Sequence, residues 1–151
     1  MRQVIWAVGL CLPVLAQAQV SLQGEVEAGL FIHQHTDLKE GERVLLRNDQ
    51  PIEPTRSIPA RLGSKFGVRF SLAGKQQGDQ PLTFLYLTPG VIDGQGQRLD
   101  RFEVQQALQP HTRHEVMAFE FSEQGEVVPG QWRFLVFQGP RKLLEEHFEV
   151  R

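Results

Sequence analysis

The dominant period of the chain is two. Val20, Leu22, Val26, Ala28, Leu30 and Ile32 are apolar, and Ser21, Gln23, Glu25 and Glu27 stand between them. Side chains on a strand alternate between faces, so this spacing predicts a half-buried strand, with Gly24 and Gly29 as places to bend or bulge. Phe66, Val68, Phe70 and Leu72 alternate in the same way with Lys65, Gly67, Arg69 and Ser71. Leu82 to Leu87 is apolar at successive positions, the pattern of a central strand covered on both faces. Phe102, Val104 and Leu108 set out a fourth strand, and Glu115 to Phe121 a fifth with Met117, Phe119 and Phe121 on one face. Trp132, Phe134 and Val136 oppose Leu135 and Phe137 in a sixth, and Leu144, Phe148 and Val150 mark the last.

Turn chemistry separates these runs: Ala73-Gly74, Thr88-Pro89-Gly90, Asp93-Gly94-Gln95-Gly96, Pro129-Gly130 and Gly139-Pro140. About seven short strands with regular turns predict an all-β, immunoglobulin-like antiparallel β-sandwich. Between the first two strands, residues 34–62 carry Pro51, Pro54 and Pro59, and proline cannot donate to a ladder. That segment reads as a long loop or an irregular edge.

The N-terminus follows a different pattern. Arg2 precedes an apolar run from Val4 to Ala16, and Ala16-Gln17-Ala18 is a small-x-small site. This is the layout of a cleavable secretory signal over residues 1–18, leaving a single domain over residues 19–151 that starts at Gln19. The run is shorter than a spanning helix and holds Pro13, so no transmembrane segment is expected in the mature chain. The expected location is periplasmic or secreted. Cys11 is the only cysteine, and cleavage removes it. The mature domain must then stand on its core, without a disulfide, a thiol nucleophile or a thiolate ligand. A formal net charge of −2 gives no electrostatic footprint for nucleic acid.

The chain also resembles a known family. The strand Val128-Pro129-Gly130-Gln131-Trp132 through Phe137, the Gly139-Pro140-Arg141-Lys142 turn and the run Leu143 to Val150 resemble the closing hairpin of bacterial immunoglobulin-like domains. With an early glycine-rich strand, an IP-x-x-LG-x-x-FG segment at Ile58 to Gly67 and a YLTPG stretch at Tyr86 to Gly90, nearly all of residues 19–151 is similar to a bacterial domain-of-unknown-function family of small exported immunoglobulin-like proteins. The resemblance implies a fold. Its motifs are turns and core aromatics, and it brings no catalytic residues.

Candidate chemistry is sparse. His33 and His35 are two apart, so on a strand both rings face the same way, and with Asp37 they could hold copper or zinc. The plainer reading of His33-Gln34-His35 is a solvated polar run. Asp93-Gly94-Gln95-Gly96 lacks the further acids of a calcium loop, and Gly74-Lys75 lacks the hydroxyl residue and first glycine of a phosphate loop. No serine sits in a G-x-S-x-G elbow. Arg141 and Lys142 fall at the expected hairpin tip, where sandwich domains place recognition. The sequence therefore predicts a non-enzymatic, cofactor-free module that binds an envelope protein or another macromolecule, or stabilises an envelope assembly. The alternative is a small-ligand or copper/zinc-binding protein using His33 and His35.

Overall fold

The structure is a computed structural model that describes residues 19–32 and 49–151. Among the described residues there are nine strands: β1 (Ser21–Phe31), β2 (Ile52–Glu53), β3 (Ser57–Ile58), β4 (Lys65–Ala73), β5 (Leu82–Ile92), β6 (Arg98–Gln106), β7 (Glu115–Glu120), β8 (Gly130–Gln138) and β9 (Arg141–Val150). They form a four-stranded sheet in the order β2-β1-β4-β7 and a five-stranded sheet in the order β3-β9-β8-β5-β6. All pairings are antiparallel except β3 with β9. This is the expected immunoglobulin-like sandwich, with seven long strands at the positions the alternation marks. The described part of the proline-bearing segment supplies the two short ones, one to each sheet. Among the described residues no helix is long and apolar enough to cross a membrane.

The core follows from the alternation. Val68 and Phe70 of β4, Phe84 and Tyr86 of β5, Met117 of β7, and Trp132, Phe134 and Val136 of β8 point between the sheets and are buried. Phe66 is the hub, with ring centroids 5.3–5.4 Å from Phe121, Trp132, Phe134 and Phe148. Trp132 is fully buried and donates its indole N–H to Val128 O at 3.1 Å, so its one polar atom is satisfied. Tyr86 ties the sheets together by donating its hydroxyl to Ala118 O at 3.0 Å, and burial pushes the phenol's pKa upward. Gly67 is required here: a Cβ would lie 2.1 Å from Met117 O on β7.

Three local expectations change. Thr88-Pro89-Gly90 does not end a strand; it is a bulge inside β5, where the register with β6 shifts between Leu87 and Val91. The Thr88 hydroxyl accepts the N–H groups of Gly90 and Val91 and donates to Leu99 O at 2.8 Å, so turn-type chemistry is satisfied without a chain reversal. Leu108 is not on the fourth strand: β6 ends at Gln106, and Leu108 is buried in the following loop. The closing hairpin turns on Gly139-Pro140 alone. Arg141 and Lys142 already belong to β9, paired with Gln138 and Phe137. The Asp93 turn is as expected, with its carboxylate accepting the N–H groups of Gln95 and Gln97.

Candidate functional site

On the outer face of the four-stranded sheet, β1 and β4 set Glu27 beside Arg69 and Gln23 beside Ser71. These positions alternate with the core residues Ala28, Val68 and Phe70, so the period that buries the apolar set turns the polar set outward. The connection from β6 to β7 then brings Thr112, Arg113 and His114 over the same face. Together with Asp49 these side chains line a shallow groove of about 460 Å³.

The groove is held by charge-assisted hydrogen bonds. Arg69 donates Nε to Glu27 Oε2 at 2.6 Å and Nη1 to Gln50 O at 2.7 Å. The bond from Arg69 holds the Glu27 carboxyl below its ordinary pKa, against the opposing effect of burial. Ser71 Oγ and His114 Nδ1 share a hydrogen bond of 2.9 Å. Arg113 and His114 are both exposed.

A buried ion pair fixes the loop that completes the groove. Lys75 Nζ donates to Thr112 O and lies 3.1 Å from Glu115 Oε1, with side-chain exposures of 7% and 4%. Lys75 follows Gly74, so the dipeptide that superficially resembles a phosphate loop instead pins the loop's Thr112.

A hydroxyl beside an imidazole is the start of a nucleophile–base pair. Here the chemistry stops early. Glu27, the nearby carboxylate, is taken by Arg69, and the Ser71–His114 bond is open to solvent. What the groove can do is present donors and acceptors, with Arg69 and His114 held by their bonds and Arg113 exposed beside them.

The other sequence-derived positions fall elsewhere. Arg141 is half-buried rather than a free hairpin tip: its Nη2 donates to Val20 O and approaches Gln138 Oε1 at 3.4 Å. The Val20 N–H donates to the same Gln138 oxygen at 3.1 Å, so this end of β8 and β9 clasps the start of the domain. Lys142 reaches back to Glu145 Oε2 at 2.8 Å. Arg133 Nε at 3.0 Å and His147 Nε2 at 2.9 Å meet the same carboxylate, which is lowered to about 2 by Lys142 first and then Arg133. His33, His35 and Asp37 lie outside the described residues. Among the described residues no three His, Cys, Asp or Glu side chains come together as a metal site.

Sequence reasoning missed the groove because its lining comes from positions 27, 49, 69 and 112–114, with Ser71 bonded to His114 beside it. Only the outward alternation of Glu27 and Arg69 was visible in one dimension.

Comparison with known proteins places the geometry in context. Residues 19–150 match the family described as "Domain of unknown function (DUF3859)". A crystal structure of an immunoglobulin-like protein from Pseudomonas aeruginosa is 50% identical, covers 90% of this chain and 99% of its own, and superposes with a TM-score of 0.76. A DNA-bound alkylpurine DNA glycosylase from Pseudomonas fluorescens is 19% identical over 64% of this chain and 28% of its own, with a TM-score of 0.35, too low to bear on the argument. No curated protein matches.

Proposed function

This chain belongs to the DUF3859 family, and from that premise we propose that it is an exported, non-enzymatic immunoglobulin-like module that holds another macromolecule of the bacterial envelope through the groove on its four-stranded sheet. The observation that carries this reading is the pairing of a fixed base with exposed edges. Arg69 is anchored on Glu27 and Gln50, and Arg113 and His114 stand exposed beside it on a loop locked by Lys75. Arg69 and His114, held by Glu27, Gln50 and Ser71, lose little further freedom on contact, and the exposed Arg113 adds charge, which together favour recognition. Export is supported by the signal-like pattern of residues 1–18, after which the family match begins.

The groove replaces the hairpin tip as the favoured contact because Arg141 and Lys142 each already have a partner within the fold. The partner chemistry that suits the groove is a polar segment with a carboxylate or phosphate to meet Arg113. In-cell crosslinking should capture an envelope component with the wild type, in a salt-sensitive manner, and Arg113→Glu should reduce that capture. Arg113 is exposed, so the substitution should change stability by less than about 0.5 kcal/mol. Equal capture by the variant rejects the groove. Hydrolysis of a small ester by the wild type that Ser71→Ala abolishes rejects the non-enzymatic reading.

A further inference from the structure

β6 ends the five-stranded sheet. It pairs with β5 on one side, and among the described residues no strand lies on the other. An edge of this kind presents backbone N–H and C=O groups to any strand that can match it. Proteins usually guard such edges with charge, and β6 does carry charge, but in a particular order.

Arg101 and Glu103 flank Phe102 on one face of the strand, opposite Leu87 and Leu85 of β5. Arg101 Nη2 donates to Glu103 Oε1 at 2.7 Å, and the two side chains remain 62% and 45% exposed. On the other face Phe102 stacks on Tyr86, with centroids 4.7 Å apart and planes 13° from parallel, and Val104 beyond it is 45% exposed.

We propose that β6 is a homodimer contact, in which the strand pairs antiparallel with β6 of a second copy about a twofold axis through Phe102. The argument is charge complementarity. Directly opposed residues of an antiparallel pair share a face, so a continuous sheet requires the axis to pass through a residue position. An axis at Arg101 would oppose Arg101 to itself, and an axis at Glu103 would oppose Glu103 to itself. An axis at Val104 would place Glu103 against Gln105. The axis at Phe102 alone sets Arg101 of each copy directly against Glu103 of the other, twice, and each cation then lies between two carboxylates. Opposite charges directly across a ladder stabilise it, and like charges oppose it. The same pairing covers the exposed backbone of the edge and extends five strands to ten. This contact is on the other sheet from the proposed groove, so the two readings stand or fall separately.

Sedimentation velocity over a concentration series tests the proposal on the purified protein. The wild type should be a reversible dimer that weakens as salt rises. Arg101→Glu and Glu103→Arg should each raise the dimer dissociation constant by about tenfold or more, since each sets like charges across the axis. The double variant Arg101→Glu/Glu103→Arg exchanges the charges and should recover to within about threefold of wild type. Thermal melts by circular dichroism confirm that each variant is folded. A wild type that stays monomeric across the series overturns the proposal. A dimer that ignores both single substitutions, or singles that the double does not rescue, overturns it equally. So does a β6 edge that is filled by a different protein's strand while the chain alone is monomeric.

Discussion

Two clusters contain the same elementary contact, an ammonium on a carboxylate, in opposite surroundings. Lys75 meets Glu115 where both side chains are under 8% exposed, and the lysine also closes on the Thr112 carbonyl. Lys142 meets Glu145 on the open face of β8 and β9, where Lys142, Arg133 and His147 are 51%, 42% and 60% exposed. The buried pair has lost its water and must keep both partners. The other set shares one carboxylate, itself 17% exposed, among three basic side chains that water could serve instead. One arrangement holds a loop in place; the other adjusts a surface.

The scale for that contrast comes from the core. Trp132→Ala removes a fully buried ring packed against Phe66 and should lower stability by about 3–5 kcal/mol, read from urea unfolding. Lys75→Met strands the Glu115 carboxylate and should lower stability by about 3 kcal/mol or more. Adding Glu115→Leu should restore most of that loss, because a well-packed apolar pair has no ion to desolvate. If Lys75→Met melts like wild type, the contrast fails.

Glu145→Gln should lower stability at neutral pH by less than Lys75→Met does, because the three partners of the carboxylate stand in water although it is itself 17% exposed. Its signature is in the pH dependence. The folded carboxyl is lowered to about 2 from an ordinary 4.5, so its contribution is fully present above 4.5 and disappears as pH falls through 2. The stability difference between wild type and Glu145→Gln should shrink across that window. A difference that grows on acidification would contradict the cluster.

The strands were legible because each is a local alternation: Phe66 to Leu72 and Trp132 to Phe137 show their inner faces without help from any other segment. Leu82 to Leu87 was legible as a strand apolar on both faces, and Leu85 and its register partner Leu135 are indeed only 8% and 6% exposed outside the main core. What failed was reading Thr88-Pro89-Gly90 as a reversal, since a bulge and a turn use the same residues and differ only in what lies across from them. The groove was illegible for a related reason. His114 meets Ser71 only after β7 has docked on β4, a pairing that no spacing along the chain encodes. Arg141 looked like a free tip because its partner, the Val20 carbonyl, is far away in sequence.

The parallel pairing of β3 with β9 has a kinetic consequence. Ile58 is matched with Val150, and backbone bonds run from Arg151 N to Ile58 O and from Ala60 N to Arg151 O. This edge of the five-stranded sheet therefore cannot form until Val150 and Arg151 have been synthesised. The loop it closes spans most of the domain, and such long-range closure places folding in the range of roughly milliseconds to seconds rather than microseconds. β8 and β9 are joined by the Gly139-Pro140 turn and can pair locally, so it is the docking of β3 that waits. Disrupting the pairing of Ile58 with Val150 should be felt as a slower approach to the native state as well as a less stable one.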